Sequence, residues 1–256
     1  MPLSAAQYRM RRLFTEDFNA ADIADPLPSF DEVRDASAVR TIMERIDVAV
    51  AGVRVDGRIA GYVLLGDLDA GPLSQVIRSF AAGEVIPYTA GFHDVFQALG
   101  VFETVFVTSS GTVTSLIERG DLQSAPVRMW LFGLITILDA FVTRELEARF
   151  PGDTWVGEIS AGRLEKARTL LAERQRRDQE AQLVECLQFA DKAGILVRDG
   201  GRREEWGLGS KRQADRFIQD LQSLRNNLAH TQDIVTYDWE TILELAQRLD
   251  GILMRI

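Results

Sequence analysis

Apolar positions follow two different periods along the chain, and the change between them divides the sequence. Before residue 125, short apolar runs rich in valine, isoleucine and phenylalanine are separated by glycine-containing turns, which is typical of strands. From Ala125-Pro126 onward, apolar residues recur at helical spacing without strand-like alternation, and proline at that point fits the first turn of a helix. The pattern therefore predicts an α+β protein, with an α/β N-terminal half and an all-α helical bundle after it.

The N-terminal half contains the same succession of elements twice. Each copy has a helix, a strand, a turn ending in glycine, a second strand and the tripeptide Gly-Asp-Leu. The predicted helices, strands and tripeptides are 30–45, 47–53, 59–65 and 66–68 in the first copy, and 93–99, 104–108, 112–117 and 120–122 in the second. One helix and one hairpin cannot bury both faces of a small sheet, so we expect the two copies to pack together.

This repeat resembles the CBS family over roughly residues 23–125. In that family an aspartate after the last strand contacts the ribose of an adenosine nucleotide, which places Asp67 and Asp121 as candidate nucleotide contacts. A serine or threonine stands three residues before the aspartate in the family, whereas this chain has Leu64 and Glu118 there. Leu64 cannot hydrogen-bond a phosphate or sugar, and Glu118 adds negative charge. The resemblance thus implies the CBS fold and suggests an adenine nucleotide as the regulatory ligand. Because of Leu64 and Glu118, we expect AMP and ATP to bind weakly or not at all.

The C-terminal half is predicted to be a bundle of four or five amphipathic helices. The predicted helices are 128–150, 159–177, 179–193, one from Ser210 to about His230, and one from Asp238 to Ile256. A stretch rich in glycine and arginine, 198–203, is predicted to be a loop. The predicted organisation is a helical N-terminal extension over 1–22, the tandem modules over 23–125 and the helical bundle over 126–256.

The candidate catalytic residues lie at the end of the fourth predicted helix. Arg225 and His230 are five residues apart, about 140° around a regular helix, whereas Asn226 and His230 share one face. An apolar stripe at the spacing of a core-facing helix turns the polar residues toward its edges or toward solvent. The stripe is Phe217, Leu221, Leu224 and Leu228. Arg225 and His230 therefore converge only if the helix ends or distorts, or if a second subunit supplies the missing group.

This segment resembles the Arg-polar-x-x-x-His signature of HEPN domains, with Arg225, Asn226 and His230 at the matching positions. Many members of that superfamily are ribonucleases that need no metal, and their site is typically shared across a two-fold dimer. The resemblance implies that His230 moves protons, Arg225 stabilises phosphorane charge and Asn226 orients the histidine or phosphate. It predicts a regulated RNA endonuclease, for instance a defence or toxin effector, that acts on RNA, spares DNA and forms a homodimer.

Two other interpretations stay open on the sequence. In the first, the protein is a non-enzymatic regulatory or structural dimer with a degenerate HEPN domain. Arg225 then contacts Asp220 or Gln222, and His230 lies favourably at a helix C-terminus. In the second, the helical half binds a nucleotidyltransferase without cutting RNA.

Composition and charge narrow the remaining classes of function. The chain has 256 residues, 46% of them hydrophobic, and a net charge of −9. Residues 1–125 carry 10 Lys and Arg against 17 Asp and Glu, so we expect RNA to meet the second half, which has a basic excess over 163–177. The single cysteine, Cys186, excludes an intramolecular disulfide and is predicted to be a buried thiol.

Several other classes of site have no counterpart in the sequence. His93, the other of the chain's two histidines, has no metal-ligand partners nearby and is predicted to be structural. No Walker, Rossmann or zincin motif is present, and we expect no metal and no obligatory cofactor. The N-terminus does not resemble a signal peptide, and the apolar run 129–142 is short and contains Asp139. We therefore expect a cytoplasmic protein without a membrane span.

Overall fold

The computed structural model describes residues 9, 12–14, 16–229 and 239–255 of the chain. Two compact units are present: an N-terminal unit, Phe18–Val127, and a helical unit formed by Arg128–Ile256 together with Met1–Asp17. Within the described residues every strand belongs to the N-terminal unit, and the regular structure after residue 125 is helical. The predicted α+β class is confirmed.

The first module of the N-terminal unit is a β-α-β-β arrangement. After a two-residue strand β1 (Asp25–Pro26), the chain forms the module's own elements. These are β2 (Ser29–Asp31), α1 (Ala36–Arg45), β3 (Val50–Val55) and β4 (Arg58–Leu64). In the resulting sheet β2 runs parallel to β3, and β3 pairs antiparallel with β4. The parallel pair is possible because α1 carries the chain back across the sheet.

The second module repeats this topology. Its elements are β5 (Val85–Pro87), α2 (Phe92–Val101), β6 (Thr104–Ser109) and β7 (Thr112–Glu118). β5 is parallel to β6, β6 is antiparallel to β7, and β1 from the start of the unit adds to the free side of β7. The two modules therefore differ mainly in the extra strand that β1 contributes to the second sheet.

The two hairpins have the same register throughout. The pair Val50↔Leu64 of the first hairpin corresponds to Thr104↔Glu118 of the second, and each hairpin has a bulge at the equivalent place, after Val53 and after Val107. The two turns also match, because both of their central residues have positive φ. Those residues are Asp56 and Gly57 in the first turn and Ser110 and Gly111 in the second. This is the backbone of a tight hairpin turn whose twist fits the flanking strands.

The sequence prediction was wrong about the start of each module. Phe30 and Asp31, predicted to begin the first helix, belong to strand β2, and α1 begins only at Ala36. The helix starts there because the Asp35 carboxylate accepts hydrogen bonds from the N–H groups of Ser37 and Ala38. Strands β2 and β5 have three residues each, too few for an alternating pattern to be visible in the sequence.

Aromatic side chains pack the two modules against each other. The ring centroid of Phe106 on β6 lies 4.7 Å from that of Tyr62 on β4 and 4.8 Å from that of Phe80. Leu27 and Val50 belong to the same buried cluster as Phe106. The apolar face that each hairpin cannot cover alone is thus covered by the other hairpin, as the repeat predicted.

The helical unit is organised around one long helix. Its helices are α3 (Ala125–Arg149), α4 (Ala161–Arg176), α5 (Phe189–Leu196), α6 (Gly200–Glu205), α7 (Lys211–Ala229) and α8 (Trp239–Arg255). Apolar side chains of α3 are buried along its length: Trp130, Leu131, Leu134, Ile135, Ile137, Leu138, Phe141, Val142 and Leu146. In the described part of the chain, α3 alone is long and apolar enough to span a membrane. Burial of these side chains fits the core helix of a bundle.

Two predicted features of the helical half are wrong. The predicted helix 179–193 is instead a short 3₁₀ turn, Leu183–Cys186, followed by α5, which begins at Phe189. The predicted loop 198–203 contains helix α6, because Asp199 caps it by accepting the Gly201 N–H at 2.9 Å. Arg202 on α6 is buried and forms an ion pair with Glu145 of α3. The two residues are 57 positions apart, so no local sequence pattern predicts this pair.

The N-terminal segment packs against α3 through a close contact at a glycine. A methyl group at Gly133 would lie 2.3 Å from Cε1 of Phe14, so only glycine leaves room for that ring. Replacing Gly133 with alanine must push the ring or the helix away. By contrast, a methyl group at Gly162 on α4 would have no neighbour within 4 Å.

We predict that Gly133→Ala lowers the free energy of unfolding by about 1–3 kcal/mol through this overpacking. Gly162→Ala, the matched control, should raise it by up to about 1 kcal/mol because alanine has the higher helix propensity. Urea denaturation of both variants tests this. Equal stabilisation by the two substitutions would mean that Phe14 does not pack at Gly133.

Candidate functional site

Helix α7, which contains Arg225 and Asn226 of the predicted motif, is amphipathic. Ser210 starts the helix with a reciprocal cap: its Oγ accepts the Gln213 N–H at 3.3 Å, and its own N–H donates to Gln213 Oε1 at 2.9 Å. The buried face consists of Ala214, Phe217, Ile218, Leu221 and Leu224. Leu228, the last residue of the predicted stripe, is half-buried. The apolar face therefore directs the polar residues of α7 outward, as the spacing predicted.

Arg225 and Asn226 lie in the last turns of this helix, on its polar side. Arg225 is half-buried and Asn226 is exposed. Asn226 accepts a hydrogen bond from Gln222 Nε2 at 3.2 Å, and Asp220 faces Arg216 at 3.6 Å. Within the described residues, Arg225 has neither an ion-pair nor a hydrogen-bond partner. Of the two partners that a purely structural Arg225 would use, Asp220 thus faces Arg216, whereas Gln222 Oε1 has no hydrogen-bond partner among the described residues.

His230 lies outside the described residues, so its placement relative to Arg225 and Asn226 stays a prediction. The described part of α7 ends at Ala229, directly before it in the sequence. Of the three predicted catalytic residues, the structure therefore describes Arg225 and Asn226, which are neighbours in sequence near one helix end.

Arg128 of α3 contacts this same helix end, and sequence reasoning missed it. Its Nη2 donates to the carbonyl oxygens of Asn227 at 3.1 Å and Leu228 at 3.0 Å. The contact joins residues about 100 positions apart, so no local pattern could have found it. Arginine is a common donor to the last carbonyls of a helix, where its charge also meets the negative end of the helix dipole.

The basic stretch predicted over 163–177 forms most of helix α4. Ala167 is the one buried residue of α4, so the charged side chains lie on an exposed helix. Arg163 pairs with Asp191 at 2.6 Å, whereas Lys166 and Arg168 are exposed and have no ion pair within the described part of the chain. A solvated cationic helix of this kind can meet phosphates without a specific pocket.

The two aspartates of the CBS resemblance both have protein partners. Asp67 Oδ2 accepts a hydrogen bond from Nε of Arg78 at 2.7 Å and lies 2.6 Å from Nη2 of the same arginine. Asp121 Oδ2 accepts a hydrogen bond from the backbone N–H of Glu118 at 2.7 Å. Glu118 in turn caps the N–H of Asp121. A ribose would have to displace Arg78 from Asp67, or share Asp121 with this turn.

A cavity of about 350 Å³ opens beside Glu118 in the N-terminal unit. Its charged lining residues are all acidic: Asp25, Glu44, Asp47 and Glu118. Burial raises the pKa of Glu118, and the neighbouring Asp121 carboxylate raises it further. Burial also raises the pKa of Asp121, against the lowering effect of the Glu118 N–H. The negative charge of this cavity disfavours a nucleotide phosphate.

The other candidate groups have structural surroundings. His93 Nε2 lies 2.8 Å from Gln97 Nε2, one turn along α2. Cys186 is buried, and burial raises the pKa of its thiol, so it is a poor nucleophile. No cluster of three or more metal-ligating side chains occurs in the ranges that the structure describes.

Comparisons with known proteins give matches in structure alone. No family profile matches the chain, and no curated protein matches it. CBSX2 in complex with AMP matches with 14% identity and a TM-score of 0.39, over 44% of this chain and 98% of that one. The CBS domain of the bacterial CNNM/CorC family Mg²⁺ transporter in complex with ATP matches with 10% identity and a TM-score of 0.38. This match covers 47% of this chain and 94% of that one.

A third match has similar statistics. It is to the CBS domains of a transcriptional regulator from Streptococcus pneumoniae, with 14% identity and a TM-score of 0.37, over 41% of this chain and 96% of that chain. The matched region is the N-terminal half, the same part that resembles the CBS family in sequence. The HEPN resemblance of the helical unit still depends on Arg225, Asn226 and His230 alone.

We predict that Glu118→Gln stabilises the protein at neutral pH. A carboxyl group whose pKa is raised by folding binds its proton more tightly in the folded state, so its ionised form costs stability above that pKa. A neutral amide keeps the cap and removes the charge. The gain should be a few tenths to about 1 kcal/mol at pH 7, since a partly exposed group is screened, and should vanish near pH 3.5.

Thermal unfolding of Glu118→Gln at both pH values tests this, with the exposed Glu103→Gln as control. A lower melting temperature for Glu118→Gln than for the unmodified chain at pH 7 would contradict the account in which burial and the Asp121 carboxylate make ionised Glu118 unfavourable.

Proposed function

We propose that the chain is a ligand- or stress-regulated, metal-independent RNA endonuclease of the HEPN type, of the kind that acts as a defence or toxin effector. The observation that carries the proposal is the guanidinium of Arg225. It lies on the polar side of α7 without a partner in the described part of the chain, while the nearby Asp220 faces Arg216. A cation beside the motif supports phosphoryl transfer because it can stabilise the charge that develops on the phosphorane.

In the proposed reaction His230 accepts the proton of a ribose 2′-hydroxyl, and the 2′-oxygen attacks the adjacent phosphorus. Arg225 stabilises the additional negative charge of the phosphorane by donating two N–H groups to its oxygens. The bond from phosphorus to the 5′-oxygen then breaks, and a protonated imidazole supplies the proton that the leaving oxygen needs. The products are a 2′,3′-cyclic phosphate and a 5′-hydroxyl end, and DNA is spared because it lacks the nucleophile.

A second copy of the chain completes the proposed site. Arg225 and His230 point about 140° apart on a regular helix, so one helix alone does not present both to one phosphate. A two-fold homodimer brings Arg225 of one protomer toward His230 of the other. The exposed cations of α4, among them Lys166 and Arg168, would hold the RNA backbone.

The N-terminal unit is the regulatory part of this proposal. AMP and ATP are bound in two of the matched CBS structures. In this chain Asp67 is paired with Arg78, Asp121 caps the Glu118 turn, and the neighbouring cavity is acidic. An adenine nucleotide is therefore a poor fit as the regulatory ligand.

The alternative is a non-enzymatic regulatory or structural dimer with a degenerate HEPN domain. The hydrogen bond from Gln222 to Asn226 favours it, because it occupies the amide oxygen of Asn226 that would orient the histidine. The two functions differ in a single observable property, the cleavage of RNA by the unmodified chain.

We predict that His230→Ala and Arg225→Ala each lower the rate of RNA cleavage 10²–10⁴-fold, below detection for a modest nuclease, while the bundle stays folded. Cleavage of labelled single-stranded RNA in EDTA, with analysis of the product ends, measures this. Arg216→Ala is the matched control, since Arg216 lies on the same helix and pairs with Asp220. Loss of cleavage in EDTA, or full activity of His230→Ala, would discard the mechanism.

We predict that AMP and ATP bind weakly or not at all. Calorimetric titration of the full chain should give no saturable heat at micromolar nucleotide, because phosphate would enter an acidic cavity. Micromolar affinity that disappears in Asp121→Ala would contradict this and restore the nucleotide as the regulatory ligand.

A further inference from the structure

One arginine outside the motif is fixed to the end of the helix that carries it. A single nitrogen of Arg128, Nη2, donates to two successive carbonyl oxygens, those of Asn227 and Leu228. The last four carbonyls of an α-helix lack donors within the helix, so a side chain that reaches them determines how that end is held. Arg128 is half-buried, which limits competition from water.

We propose that Arg128 is a positioning residue for the ribonuclease site. It holds the last turn of α7 and thereby orients Arg225 before the contact and His230 after it. The inference rests on the proposed function, because it assigns Arg128 to the same site. A displacement of about 1 Å in a catalytic group can cost 10²-fold in rate, so a residue that fixes the helix end can matter without touching RNA.

The position of Arg128 in the chain also gives a route for regulation. Arg128 lies in the first turn of α3, seven positions after Asp121. The 3₁₀ turn Arg119–Gln123, which contains Asp121, is followed by α3 at Ala125, with the conformationally restricted Pro126 next. A ligand that reshapes this turn acts on Arg128 through a short covalent segment, and through Arg128 on the end of α7.

Two substitutions separate the charge of Arg128 from its geometry. Arg128→Gln removes the charge and most donors, whereas Arg128→Lys keeps the charge but cannot present the same planar fork. Arg149→Gln is the matched control, because Arg149 lies on the same helix and its Nη1 bonds to Asp199 at 2.8 Å, away from α7. The two readouts are the rate of RNA cleavage at saturating RNA and the NMR titration of the histidines. The chain has only two histidines, His93 and His230.

We expect Arg128→Gln to lower the cleavage rate roughly 10–100-fold with unchanged circular dichroism. If Arg128 holds His230 close to its guanidinium, as proposed, loss of that cation should also move the His230 titration to higher pH and leave that of His93 where it is. Arg128→Lys should retain the His230 pKa and still cleave about 10-fold more slowly. Arg149→Gln should change neither readout.

Unchanged cleavage and an unchanged His230 titration in Arg128→Gln would overturn the inference. If Arg128→Gln does not fold, Arg128→Lys is the deciding variant. Cleavage by Arg128→Lys at the same rate as the unmodified chain would then overturn the inference. If the unmodified chain cleaves no RNA, the proposed function fails. The His230 titration in Arg128→Gln then still decides whether Arg128 fixes this helix end.

Discussion

The helical unit depends on the charged side chains that helix α3 carries among its apolar ones. Asp139 pairs with Lys192 of α5 at 2.6 Å, Glu145 pairs with Arg202 of α6, and Arg128 holds the end of α7. The side chains of Lys192, Glu145 and Arg202 are only 5–6% exposed. Replacing Asp139 would leave the buried Lys192 ammonium without its carboxylate, which costs about 3–5 kcal/mol. Each of these contacts joins α3 to a different helix, and each can form only when the two helices pack in the observed register.

The candidate site is a consequence of this arrangement. Once α7 has buried Phe217, Leu221 and Leu224, its polar side has no freedom to turn inward, and Arg225 and Asn226 stay at the surface near the helix end. The same logic explains the N-terminal unit, where each hairpin buries its apolar face against the other around Phe106. In both units the burial of one face determines what the opposite face can present to a ligand.

The parts of the fold that depend on a short stretch of sequence could be predicted from that stretch. The turns at Asp56-Gly57 and Ser110-Gly111 and the cap at Ser210 follow from residue types with particular backbone preferences, and the structure confirms them. Strands β2 and β5 were missed because three residues cannot display a period. Helix α6 was missed because glycine and arginine in sequence suggested a loop, whereas the Asp199 cap and the buried partner of Arg202 favour a helix.

The candidate site divides in the same way. The polar placement of Arg225 and Asn226 followed from the apolar stripe, but the contact of Arg128 with α7 and the pairing of Arg78 with Asp67 join residues that no local pattern connects. The acidic character of the cavity beside Glu118 likewise depends on Asp25, Glu44 and Asp47, which only the fold brings together.

The central claim is that Arg225 of one chain and His230 of another act on the same phosphate, and mixing two inactive variants tests it most directly. Chains with Arg225→Ala and chains with His230→Ala are unfolded and refolded together in equal amounts, and RNA cleavage is measured against each variant refolded alone. Half of the dimers should then be mixed, each with one intact site, so the account predicts recovery to about a quarter of the unmodified rate. No recovery above the separate variants, from a mixture shown to contain mixed dimers, would contradict it.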